Sequence, residues 1–103
     1  MQGRIVRYRF TGDARSIAQR AEEGVLPMFQ GMPGFQAYSV VEAGDEIISF
    51  SAWDTREEAE AASAAVADWV KETKLPVEPI DARYGEILFS TTLGITTKAG
   101  ITV

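Results

Sequence analysis

The sequence contains no cysteine and no histidine, and asparagine is absent as well. Without cysteine there is no disulfide framework, no thiolate nucleophile and no thiolate metal ligand. Without histidine the chain lacks the commonest general base and the commonest transition-metal ligand, so neither a metal nor a cofactor is expected. Serine catalysis falls with it, because Ser49 and Ser51 have no base to activate them. Positive charge is scarce too: ten basic residues face fifteen acidic ones, a net charge of −5. Binding to nucleic acid depends on neutralising phosphates, and no basic cluster stands apart from the acidic background. No apolar run approaches the roughly 20 residues of a membrane-spanning helix. The N-terminus carries charges without the apolar stretch of a secretory signal. These absences predict a cytoplasmic protein with neither nucleic acid nor membrane as a partner.

What is present fits one globular domain. The 103 residues are 46% hydrophobic and 24% charged, close to the average for folded domains. A chain of this size buries roughly two-thirds of its unfolded surface, a core with little margin that a second copy would reinforce.

Ile5 to Phe10 alternates, with Val6, Tyr8 and Phe10 on one face and Ile5, Arg7 and Arg9 on the other, which predicts a strand. Asp13 is placed to cap a helix whose apolar stripe is Ile17, Ala21, Val25 and Met28 or Phe29. Gly24 and Pro27 interrupt that helix, and Pro27 predicts a kink. Met32-Pro33-Gly34-Phe35 suits a type II turn. Two strands follow, Phe35 to Val41 and Glu46 to Trp53, joined by a short turn containing Gly44. The second has Ile48, Phe50 and Ala52 on one side and Ile47, Ser49, Ser51 and Trp53 on the other. With neither side fully polar, both sides should be covered.

Thr55-Arg56-Glu57-Glu58 reads as a capping box, with Asp54 and Glu57 offering the same pattern one residue earlier. The helix it starts carries Ala59, Ala62, Val66, Trp69 and Val70 on its apolar stripe and ends near Thr73. Pro76 and Pro79 mark Lys74 to Asp81 as an extended connector. Arg83 to Thr92 reads as the last strand. The domain is thus expected over residues 1–92, with 93–103 a tail docked as an extra strand or hairpin.

The order β-α-β-β-α-β is the ferredoxin-like split βαβ arrangement, an α+β fold with a four-stranded antiparallel sheet. Right-handed crossovers put both helices on one face and leave the other open. RNA-recognition domains share this order, but they need a basic, Gly-Phe-rich third strand. Ile47 to Trp53 has one Phe and no positive charge.

Pro33-Gly34-Phe35 opening a hairpin resembles the antibiotic-biosynthesis-monooxygenase-like families of the dimeric α/β-barrel superfamily. So do Ser51-Ala52-Trp53-Asp54-Thr55 at a strand end and an Ala/Glu-rich helix ending in Ala67-Asp68-Trp69-Val70. The resemblance covers about residues 3 to 92 and is closest to members of unknown activity. It implies a homodimer in which two sheets face each other as a barrel, with a pocket between helices and sheet in each subunit. It also implies either cofactor-independent oxidation of an aromatic small molecule or, alternatively, a non-catalytic dimeric binding module. Haem-degrading relatives use an Asn, a helical Trp and a downstream His. Trp69 resembles that Trp, but Pro79 stands at the His position and there is no Asn, so haem degradation is excluded.

Four residues are candidates to line a ligand pocket. The hydroxyls of Tyr8 and Tyr38 suit a phenolic or quinone oxygen, Trp69 suits an aromatic ring, and Arg7 suits an anionic group. Each also has a plain structural role: core filling for Trp69, a barrel-edge position for the tyrosines, a salt bridge for Arg7. Arg83 and Glu86 could pair across a dimer, and Trp53 reads as a structural plug.

Overall fold

The computed structural model describes residues 1–98. Along the chain come β1 (Gln2–Phe10), α1 (Ala14–Gln30), β2 (Phe35–Ala43), β3 (Glu46–Trp53), α2 (Arg56–Thr73) and β4 (Val77–Glu86). The four strands form one sheet in the order β2-β3-β1-β4, and every neighbouring pair is antiparallel. This is the ferredoxin-like α+β fold.

Local chemistry sets the helix starts. Asp13 Oδ2 accepts from the Ser16 backbone N–H at 3.0 Å, opening α1. At α2 the Thr55–Glu58 capping box forms in both directions, at 3.2 and 3.0 Å, and the alternative at Asp54 does not. The turn before β2 needs Gly34, which sits at φ +80° and whose missing Cβ leaves space taken by the Glu58 carboxylate. A single residue therefore serves both the turn and the cap of a helix twenty-four positions on.

Both helices pack on the sheet face that carries Val6, Tyr8, Ile47, Ser49, Ser51 and Trp53. The larger core cluster joins Val25 and Phe29 of α1 to Trp53 and to Ala59, Ala62 and Val66 of α2. Ala59 and Ala62 are fully buried, and their small side chains let α2 lie close to the strands. Trp53 is sealed in this layer, with its Nε1 donating to Ser51 Oγ at 2.9 Å. That bond explains a serine on the apolar side of a central strand, since a buried indole N–H must find an acceptor.

Two expectations about breakers are corrected. The helix α1 is not interrupted at Gly24 or Pro27 but runs on to Gln30. Glu23 and Pro27 are both exposed, so water can serve the carbonyl that loses its donor. The last strand is Val77–Glu86, not Arg83 to Thr92, and the expected connector is half of it. Pro79 is tolerated because β4 is an edge strand and because the ladder is broken there. Arg7 pairs with Asp81 and Tyr8 with Pro79, so Ile80 is bulged out.

Beyond β4 the Ile87 N–H bonds the Met1 carbonyl at 3.0 Å. Leu88 and Phe89 are exposed, at 69% and 68%. Ser90 and Ile95 then exchange two backbone hydrogen bonds around a turn. Over the described part the tail is thus a small hairpin of its own; the rest of the expected docking, over 99–103, lies outside the described residues. No described helix is long and apolar enough to cross a membrane.

Candidate functional site

Three of the four candidate side chains meet in one place. Tyr8 from β1, Tyr38 from β2 and Trp69 from α2 line an internal cavity between the two helices and the sheet, together with Ile17, Ala18 and Ser49. The cavity measures only about 30 Å³, room for roughly two waters. Trp69 closes it from the helix side. Its indole lies over Gly24 of α1, so close that a Cβ at Gly24 would come within 2.5 Å of the ring. The glycine that looked like a helix defect is the seat of the tryptophan.

Tyr38 also faces outwards. With Ala18 and Val40 it lines both the internal cavity and an open cleft of about 520 Å³ between α1 and the β2 edge, where Arg15, Gln19 and Leu26 form the far wall. Phe29 meets the Tyr38 ring edge-on at 4.9 Å between centroids and fixes its orientation. Burial pushes the Tyr38 hydroxyl up to about 12, reinforced by Tyr8 and partly offset by Arg4 and Ser49. At neutral pH it is a proton donor and not a base.

Arg7 does not belong to this group. Side chains alternate along β1, so with Tyr8 under the helices Arg7 lies on the open face. There its guanidinium forks onto Glu46 at 2.9 and 2.8 Å and reaches Asp81 at 3.3 Å. These contacts, Glu46 foremost, raise its pKa further. The charge ties β3, β1 and β4 together and is not offered to a ligand under the helices. Arg83 lies 3.7 Å from Asp81, and Glu86 holds the N-terminal amino group at 3.3 Å. Both therefore have partners within the chain.

Arg4, which is not among the four candidates, is the only arginine among the buried described residues, at 1% exposed. Its Nε donates to Ser63 Oγ at 2.6 Å, and Ser63 Oγ is in turn 2.6 Å from the Tyr84 hydroxyl. The signal was available: Arg4 is in phase with Val6, Tyr8 and Phe10, a charge on the apolar side of a strand. Among the described residues no cluster of three or more acidic, His or Cys side chains could hold a metal.

No family model matches the chain, and no curated protein matches it by sequence. Solved structures do match its fold. MupZ from Pseudomonas fluorescens superposes with a TM-score of 0.66 at 7% identity, over 81% of this chain and 65% of MupZ, so this chain spans just under two-thirds of that protein's length. The monooxygenase from the gene ActVA-Orf6 of Streptomyces coelicolor, solved with the ligand Nanaomycin D, matches with a TM-score of 0.62 and 20% identity over 86% of this chain and 92% of its own. SnoaB, a cofactor-independent oxygenase from Streptomyces nogalater, matches with a TM-score of 0.65 and 13% identity over 86% and 94%.

Proposed function

We propose that this chain is a cytoplasmic, homodimeric member of the antibiotic-biosynthesis-monooxygenase-like family that binds an aromatic small molecule and oxidises it without a cofactor. The observation that carries this reading is the position of Tyr38. Its side chain lines both an open cleft and an aromatic-lined interior, and its hydroxyl is protonated at neutral pH and able to donate to a quinone or phenol oxygen. The same fold in a monooxygenase holding Nanaomycin D and in a cofactor-independent oxygenase supports the ligand class. An electron-rich phenol supplies the electrons for oxygen itself, so oxidation of such a substrate needs no cofactor.

Titrating quinones and phenols while following tryptophan fluorescence tests this. At least one should quench saturably, and Tyr38→Phe should weaken it roughly tenfold, the equivalent of one hydrogen bond of about 1.4 kcal/mol. Silence across the panel would favour a second reading, a non-catalytic dimeric module. The observation on that side is the 30 Å³ interior, which admits no aromatic ring without moving side chains.

The dimer rests on the open sheet face, where Ile5 and Val41 are 43% and 53% exposed and Ile48 and Phe50 are half-buried beside them. An apolar face of this kind marks an interaction surface. Phe50→Asp should convert a dimer into a monomer by light scattering without loss of helical circular dichroism. A monomeric wild-type protein at micromolar concentration would contradict the proposal.

A further inference from the structure

The structure carries a second cavity, and its one charged wall has no counter-charge among the described residues. It measures about 210 Å³ beneath α2, where Val6, Val66, Val70, Pro79 and Ala82 surround the Arg4 side chain. A cavity of roughly 150 Å³ already admits a benzene ring. Ala67, Pro79 and Ala82 are exposed, so the cavity opens to solvent between α2 and β4.

The guanidinium of Arg4 brings a positive charge and five N–H donors to this wall. Ser63 takes its Nε, but Nη1 is buried with no acceptor among the described residues. None of the ion pairs among the described residues includes Arg4. The contrast with Arg7 is informative: that side chain is 41% exposed and has two carboxylate partners, whereas the sealed one has none. A buried charge without a counter-charge destabilises a fold, so its presence needs a reason outside folding. Arg56 adds a second cation nearby, stacked 4.8 Å over the Tyr84 ring, in a chain whose net charge is −5.

We propose that Arg4 anchors the carboxylate of a small monocyclic acid whose ring occupies the apolar cavity beneath α2. Ser63, braced by Tyr84, holds the Nε edge of the guanidinium and leaves its far edge to the acid. The ring meets Val6, Val66 and Val70. Tyr8, Val66 and Val70 are shared with the Tyr38–Trp69 cavity, but the site does not depend on the cleft beside α1.

The test is calorimetric titration of the full chain with benzoate and with benzamide, its neutral isostere. Benzoate should bind at least tenfold more tightly and raise the thermal midpoint. Arg4→Met should abolish that binding while itself raising the midpoint in buffer, because a buried unpaired charge is replaced by an apolar chain of similar length. Tyr38→Phe should preserve the tenfold preference for benzoate over benzamide, whatever it does to phenol and quinone binding, which separates this site from the phenol and quinone site. Equal affinity for the two ligands, or undiminished benzoate binding by Arg4→Met, overturns the proposal. If Arg4→Met does not fold, the Arg4 Nε–H resonance of the wild-type protein decides: it should shift on adding benzoate, and its constancy at saturating benzoate overturns the proposal equally.

Discussion

Replacing Phe29 by alanine is expected to cost about 3–5 kcal/mol of folding stability, the range for removing a fully buried aromatic ring. Phe29 is 0% exposed and sits at the hub of an aromatic nest. Its ring centroid lies 5.9 Å from Phe35, 4.9 Å from Tyr38 and 5.0 Å from Trp53. Edge-on contacts of this kind add to the area term. The void could not collapse easily, because Trp53 is pinned to Ser51 and the β3 backbone is locked between two strands. Domains of this size have a total stability of about 5–15 kcal/mol, so a large part of it would go. The thermal midpoint should fall by well over 10 °C, given roughly 4–8 °C per kcal/mol. Urea unfolding of Phe29→Ala against Phe29→Leu checks it; a loss below about 1 kcal/mol for the alanine variant would mean that the nest is not the centre of the core. Because Phe29 orients Tyr38, ligand binding in the cleft should weaken in both variants.

The fold was legible where local signals agree with one another. The capping box at Thr55, the Asp13 cap and the Pro33-Gly34 turn are each satisfied by residues within a few positions, and each forms. The two-sided character of β3 was legible as well, although its cause was mixed. One side is sealed by the helices through Ser51 and Trp53; the other exposes part of Ile48 and Phe50. Signals failed where a long-range arrangement decides. Pro79 reads as a breaker in a window of neighbours, and only the edge position of β4 and the bulge opposite Arg7 and Tyr8 admit it to a strand. The run Ile87-Leu88-Phe89 has strand character in sequence but forms no strand among the described residues.

The placement of the candidate residues was legible in part. Tyr8, Tyr38 and Trp69 come from three elements, and their convergence follows from the fold once each is assigned to the helix-facing side. Arg7 fails on the same rule, because it is adjacent to Tyr8 and must point the other way. Arg4 satisfies that rule although charged residues are expected at surfaces, where Arg9 lies. Alternation along a strand is thus a sharper guide to a buried arginine than clustering of charge.

Gly24→Ala pits helix propensity against packing, and packing should win. Alanine gains about 1 kcal/mol over glycine inside a helix, and in isolation α1 would welcome it. In the fold, however, the new methyl would lie 2.5 Å from Trp69 Cζ2 and 2.7 Å from Cε2, well inside contact distance and against a rigid ring. Trp69 would have to leave its seat, tilting away from α1 or pushing the helices apart, with an overpacking cost of about 1–3 kcal/mol. Its departure would enlarge the 30 Å³ cavity it now closes, so tryptophan emission should change along with stability. A double-mutant cycle isolates the cause. With Trp69→Leu as background the ring is gone, and Gly24→Ala should become neutral or stabilising by up to about 1 kcal/mol. If alanine at position 24 destabilises equally in both backgrounds, the glycine answers to something other than the tryptophan. If it destabilises only beside Trp69, an apparent weakness in the helix is the complement of the aromatic residue that walls the site.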